Sequence, residues 1–202
     1  LHILNKLSLN IKELKVLNLR KNYGQTAAMA AGFDYTNGEI IISLDGDLQN
    51  DPNDIPKLIQ TIKDGYDLVC GWRFERKDKL ISRRIPSKIA NKLIGFVTGI
   101  NLHDYGCSLK AFKKAIIKDI KLYGELHRFL PILANIEGAK IKEIKVNHRS
   151  RIYGNSKYGI DRTFRVLMDL LTVWFMNKFL TRPMYVFGFI GIVSIISSLI
   201  IS

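Results

Sequence analysis

The chain has 202 residues, enough for one globular domain with a sizeable core plus a short extension. It carries 31 Lys+Arg against 18 Asp+Glu, a formal net charge of +13, which calls for a polyanionic partner: nucleic acid, an anionic membrane face or phosphorylated substrates. Two cysteines, Cys70 and Cys107, are too few for a secreted disulfide scaffold and read as reduced thiols in a cytosol-facing domain.

The N-terminus, Leu1, opens in ordinary domain sequence without the charged and apolar regions of a signal peptide, and the chain reads as truncated at both ends. Lys15–Leu19 reads as a short strand, followed by a polar turn around Gly24. Thr26–Tyr35 is Ala-rich and helical, closed by Asn37-Gly38. Ile40–Leu44 is a continuous β-branched run of the kind buried on both faces of a sheet. Asp54–Lys63 reads as a helix and Tyr66–Cys70 as a strand entered through Asp64-Gly65. This alternation predicts an open, mostly parallel α/β sheet.

Ser82–Ile100 carries Ile85, Ile89, Leu93, Phe96, Val97 and Ile100 at helical spacing among Arg83, Arg84, Lys88 and Lys92, a basic amphipathic helix. A core helix with a solvated basic face is the competing reading. Ser108–Ile120 reads as a helix with a basic end, Ala139–Asn147 as an alternating strand, and Arg162–Leu180 as a long apolar helix. From Met184 to Ser202 no residue is charged, close to the ~20 apolar residues that span a bilayer. Lys178 and Arg182 before that run predict a cytoplasmic catalytic domain by the positive-inside rule.

The chemistry concentrates in Ile41-Ile42-Ser43-Leu44-Asp45-Gly46-Asp47-Leu48-Gln49-Asn50-Asp51-Pro52. Two carboxylates, Asp45 and Asp47, follow a buried strand, and ligands of open α/β sheets bind beyond the carboxyl ends of strands. Gly46 is expected to let the backbone turn so that both approach one centre. Such hard oxygen ligands suit Mg²⁺ or Mn²⁺ bridging substrate phosphates. Arg151-Ile152-Tyr153-Gly154-Asn155-Ser156-Lys157-Tyr158-Gly159 is a basic glycine turn with the donors to wrap a phosphate, or else a solvated loop. Arg73 lies just past a strand, at the sheet edge of Asp45 and Asp47, as a phosphate ligand or a surface charge. Glu125-Leu126-His127-Arg128 puts an acid, an imidazole and a guanidinium in a row. His127 reads as structural or substrate-orienting, with a proton shuttle as the other reading.

Together the segments NYGQTAAMAAGFDYTNGEIIISLDGDLQNDP, GCSLKAF, GELHRFLP, RIYGNSKYG and DLLTVWFMNKFLTRP resemble family-2 glycosyltransferases of the polyprenyl-phosphate type, such as dolichyl-phosphate mannose synthase and undecaprenyl-phosphate glucosyltransferases. The resemblance implies a GT-A fold lacking its first strand, which normally carries Pro-x-Tyr-Asn-Glu, a divalent metal, and inverting transfer from a nucleotide-sugar to a lipid phosphate. It places the metal motif on Asp45, Asp47 and Gln49, and donor or phosphate binding on Gly24, Arg73, Ser156 and Lys157. It places the lipid-phosphate contacts on Arg83, Arg151 and Lys157, with catalysis carried by Asp45, Asp47, Arg73 and Arg151, while Glu125 and His127 stay candidates for sugar orientation from the residue reading alone.

The implied organisation is a catalytic domain over 1–160 with an amphipathic helix at 82–100, a juxtamembrane interfacial helix over 161–182 and the start of a transmembrane helix over 183–202. The implied location is the cytoplasmic face of a membrane, the bacterial inner membrane being favoured, with homo-oligomerisation left open. Three rivals carry discriminators. Processive polymerases need Gln-x-x-Arg-Trp, which does not occur here. A soluble transferase to glycans or proteins conflicts with the uncharged C-terminal run. A non-enzymatic basic module that binds nucleic acid or membrane conflicts with Asp45 and Asp47, which would repel a polyanion unless a metal sits between.

Overall fold

The computed structural model describes residues 1–74, 85–150, 161–179 and 182–201; within these, the side chains of 85–89 and 161–167 are not described. In chain order the elements are α1 (His2–Asn10), α2 (Gln25–Tyr35), β1 (Ile40–Ser43), α3 (Ile55–Lys63), β2 (Leu68–Arg73), α4 (Ile85–Thr98), β3 (Lys110–Lys113), α5 (Lys114–Asp119), α6 (Leu130–Ile136), β4 (Ile141–Val146), α7 (Asp161–Phe179) and α8 (Met184–Ile201). Short 3₁₀ turns at Pro52–Asp54 and Leu126–Phe129 lead into α3 and α6.

The four strands form one sheet in the order β1-β3-β2-β4. β3 runs antiparallel to both β1 and β2, whereas β2 and β4 pair in parallel from Leu68↔Ile141 to Arg73↔Val146. The sheet is therefore mixed rather than mostly parallel, because the segment that inserts between β1 and β2 is one whose sequence reads as helix. Ser108–Ile120 divides at Lys113: Lys110–Lys113 is the strand, and only Lys114–Asp119 is helical. Lys15–Leu19 forms no strand, since extended chain without a hydrogen-bonded neighbour gains no ladder.

Strand alternation sorts the core into two layers. Leu68, Cys70 and Phe112 face α2, α5 and α6, meeting Phe33, Ile117, Leu130 and Ala134. Val69, Ala111 and Val146 face the other way, against Leu58 and Ile62 of α3. Ile41 joins the first layer while Ile40 and Ile42 join the second, so β1 is covered on both faces as its unbroken β-branched run requires. The turn Asp64-Gly65 between α3 and β2 uses Gly65 at φ 103°.

A third cluster joins the sheet domain to the C-terminal helices: Ile94 of α4, Tyr105, Phe129, Leu133 of α6, and Leu170 and Val173 of α7. The buried face of α4 is thus set by Ile94, not by Leu93 or Phe96; those two point outward, Phe96 being 88% exposed. α8 is long and apolar enough to cross a membrane and buries none of its residues against the rest of the chain.

Candidate active site

β1 delivers the chain into the acidic turn. Asp45 and Asp47 lie half-buried just past its carboxyl end. Asp45 Oδ1 accepts a hydrogen bond from Gln25 Nε2 at 3.1 Å, tying it to the first residue of α2. That helix is capped by Gly24, whose φ of 88° only glycine adopts without strain and whose N–H donates to Asn22 Oδ1 at 2.9 Å. Asp47 Oδ1 accepts the N–H of Gln49 at 3.2 Å, closing an Asx turn.

The left-handed residue of this turn is Leu48, at φ 62°. Gly46, the expected pivot, is not among the positive-φ residues. A non-glycine residue in this region costs about 1–2 kcal/mol. Leu48 is held there by bonds on both sides: the Asx turn on Asp47 before it, and cross-links at Gln49–Asp51 after it.

Those cross-links reach two other strands' ends. Asn50, buried, donates from Nδ2 to Ser108 Oγ at 2.8 Å, while Ser43 Oγ donates to the Ser108 carbonyl at 2.6 Å, so both ends of the turn grip the entry to β3. On the other side Asn50 forms an antiparallel bridge with His148, just past β4. The Arg149 N–H donates to Gln49 O at 2.8 Å, and its guanidinium meets Asp51 Oδ2 at 2.8 Å. Asp51 Oδ1 accepts Asn53 N–H at 3.1 Å and caps the 3₁₀ turn. That backbone donor first, and Arg149 second, hold the Asp51 carboxyl below its ordinary range. The Gln49 amide Nε2 points at the Arg149 carbonyl at 3.4 Å, a long contact.

Arg73, the last residue of β2, forms a bidentate pair with Asp104: Nε to Oδ2 at 2.6 Å and a terminal nitrogen to Oδ1 at 2.9 Å. Asp104 is buried and also accepts the Gly106 N–H at 3.1 Å. Two nitrogens of the Arg73 fork thereby engage the loop before β3. Beside it, His103 stacks on Trp72 at 4.1 Å and shares a 2.7 Å bond from Nδ1 with Glu143 Oε2.

His127 is buried in the turn before α6, where its Nδ1 and Thr26 Oγ1 lie 2.7 Å apart. Burial, then the Arg128 and Lys110 charges, push its pKa down to about 4, so the imidazole is neutral at physiological pH. Thr26 follows Gln25 directly, so His127 braces the helix start that holds Asp45. Glu125 pairs with Arg128 at 3.2 Å. Asp169 of α7 has its carboxyl raised by burial first and by Glu125 second.

The structure thus brings Asp45, Asp47, Gln49, Gly24 and His127 into one linked framework and sets Arg73 on Asp104. Arg83, Arg151, Ser156 and Lys157 lie outside the described residues. Sequence reasoning missed Gln25, Thr26, Asn50, Asp104 and Arg149. Gln25 and Thr26 adjoin the Gly24 turn and Asn50 adjoins the acidic motif, a signal available from spacing. Asp104 and Arg149 carry none, because their partners are distant in sequence.

The two carboxylates suit a hard divalent cation. Among the described residues no group of three or more His, Cys, Asp or Glu side chains could cage a metal. A cation at Asp45 and Asp47 would complete its shell with phosphate and water, the manner in which Mg²⁺ is usually held.

The chain is 50% identical over 182 residues to a dodecaprenyl-phosphate galacturonate synthase of Rhizobium johnstonii, covering 89% of this chain and 54% of that protein. It is 40% identical over 184 residues to an undecaprenyl-phosphate 4-deoxy-4-formamido-L-arabinose transferase of Photorhabdus laumondii, covering 91% of this chain and 55% of that protein. The chain therefore spans about half the length of these curated relatives. Among solved structures it resembles glucosyl-3-phosphoglycerate synthase of Mycobacterium tuberculosis, solved with Mn²⁺ and UDP-glucose, at a TM-score of 0.58 and 14% identity over 84% of this chain and 58% of that one. That likeness concerns the fold, which is a GT-A-like α/β fold with a mixed sheet. Residues 1–121, from α1 through β3 and α5, match the family described as glycosyl transferase family 2, and the chain belongs to it.

Proposed function

We propose that the protein transfers a sugar from a nucleotide-sugar to a polyprenyl phosphate at the cytoplasmic face of a membrane, the bacterial inner membrane being the favoured site. The observation that carries this reading is the braced acidic turn at the carboxyl end of β1 in a family-2 chain whose relatives are named for polyprenyl-phosphate products. The uncharged, fully unburied α8 supports a lipid-borne acceptor over a soluble glycan or protein.

In this reading Asp45 and Asp47 would hold a divalent cation, Mg²⁺ or Mn²⁺, which when bound would supply charge neutralisation for the departing diphosphate. Gln25 and the Asx turn fix the two carboxylates before substrate arrives, so little reorganisation is left for the reacting complex. The acceptor phosphate oxygen bonds to the anomeric carbon while the bond from that carbon to the donor diphosphate breaks. Nucleoside diphosphate leaves and the anomeric configuration inverts. The acceptor is already anionic near neutral pH, so no base has to remove a proton. His127, neutral and bonded to Thr26, positions the start of α2 rather than shuttling protons. Arg83, Arg151, Ser156 and Lys157 are the proposed phosphate contacts, Arg73 with Asp104 shapes the neighbouring loop, and Glu125 with Arg128 lies on the same turn as His127.

The test uses the full-length protein in membranes with polyprenyl phosphate, Mn²⁺ or Mg²⁺ and a panel of radiolabelled nucleotide-sugars that includes uronate and amino-arabinose donors. EDTA-sensitive label in the organic-extractable lipid is expected from one donor. Asp45→Asn is expected to lower that label by ~100-fold or more at unchanged melting temperature. Full transfer by Asp45→Asn would overturn the metal assignment. Label on protein or polysaccharide with none in lipid would overturn the acceptor.

A further inference from the structure

The acidic turn is carried by no strand ladder, only touching one through the isolated Asn50–His148 bridge. β1 ends at Ser43, and residues 44–51 hang between anchors: Gln25 on Asp45, Ser108 and His148 on Asn50, and Arg149 on Gln49 and Asp51. The Arg149 anchor differs from the others in kind. Its side chain is 53% exposed, so it is not a packing residue, while its partner Asp51 is only 12% exposed. It grips the turn twice, by the main chain at Gln49 and by the side chain two residues on at Asp51. The residue just before this grip is Leu48, the left-handed member of the turn, directly between Asp47 and Gln49. An isolated ion pair this exposed contributes little to global stability. Its effect is local: it sets where a strained segment rests.

We propose that Arg149 is a positioning residue for donor binding: through Asp51 and Gln49 it locks the exit of β4 to the turn bearing Asp45 and Asp47, and so sets the affinity for a nucleoside diphosphate with its divalent cation. This rests on the reading of Asp45 and Asp47 as the donor site. Arg149 acts through Asp51 rather than by touching the diphosphate, which gives it a signature distinct from that of a direct phosphate ligand. Removing either partner of the pair releases the same constraint, so the two losses do not add.

The experiment measures binding of UDP and of GDP, each with Mn²⁺, to the full-length protein by calorimetry, alongside donor KM, kcat and thermal melting. The variants are Arg149→Ala, Arg149→Lys, Asp51→Asn and the double variant Arg149→Ala/Asp51→Asn. The side-chain carbonyl left by Asp51→Asn can still accept the Asn53 N–H, so the 3₁₀ cap survives. The expected result is a roughly 10-fold weaker nucleoside diphosphate affinity and higher donor KM for Arg149→Ala, the size typical when a group orienting a metal ligand is lost. kcat and melting stay close to the parent, Arg149→Lys retains most of the parent affinity, and Asp51→Asn and the double variant match the single Ala variant. Unchanged affinity in Arg149→Ala overturns the proposal, as does a double variant whose defect is the product of the two singles, the mark of a direct phosphate contact. Failure of the unaltered protein to bind either nucleoside diphosphate with Mn²⁺ overturns the donor-site reading itself and is distinguished by needing no variant.

Discussion

His127 shows how one buried side chain turns pH into stability. Its folded pKa of about 4 lies below the ~6.5 of an unfolded imidazole, so between these values the unfolded chain binds a proton that the folded chain refuses. Stability is therefore undiminished above pH 6.5 and falls as pH drops toward 4, by up to about 3 kcal/mol over that window. Replacing His127 with Gln should flatten the acid limb of a melting-temperature profile between pH 6.5 and 4; an unaltered limb would assign it to the carboxylates. The place of the acidic pair was legible from residues alone, since a β-branched run followed by Asp-Gly-Asp specifies a strand end with two carboxylates just beyond it. The hinge was not. Leu48, rather than Gly46, takes the left-handed conformation, because bonds on both flanks outweigh intrinsic preference.

At the level of elements, β3 is where local pattern and tertiary placement part company. In the sequence Lys110-Ala111-Phe112-Lys113 falls inside a segment that reads as one helix, yet Lys110 is 3% exposed, its ammonium donating to the carbonyls of Tyr105 and Cys107. A buried lysine with carbonyl partners reads in sequence as a solvated charge, so the central strand was hidden. The strands β1 and β2 were legible as apolar runs bounded by turns, and β4 by its apolar–polar alternation. Packing at the seam of β2 and β3 is tight enough to test. A methyl on Gly71 would sit 2.9 Å from the Leu109 carbonyl, 3.0 Å from Cys107 Sγ and 3.0 Å from a Val146 methyl. Backbone cannot yield as a flexible side chain can, so Gly71→Ala should cost about 1–3 kcal/mol. Calorimetry should show a fall in melting temperature of roughly 3–10 °C. Cys107, buried beside it with its thiol pushed up, is inert to reagents while this seam stays closed.

Across the whole molecule, apolar surface is distributed unevenly. The sheet domain hides its core, while α8 exposes Phe187, Ile192, Ile195 and Ile196, and α4 and α7 expose Phe96 and Leu171. The proposed seat at a bilayer would cover α8 by insertion. Ile192→Asp together with Ile196→Asp places two carboxylates one turn apart mid-helix, each costing ~3 kcal/mol of insertion. The pair should shift this chain from the carbonate-resistant membrane fraction to the extractable one, and unchanged resistance would deny α8 a spanning role. The strand order has a consequence for biosynthesis. β1 and β2 are never neighbours; β3, made after α4, fills the gap between them. A nascent chain emerged only as far as α4 holds two strands without their shared partner, their edges open to any passing β-segment. Translation speed through the stretch between Arg73 and Lys110 thus governs how long that vulnerable intermediate lives, and synonymous codons there should alter yield without altering a single residue.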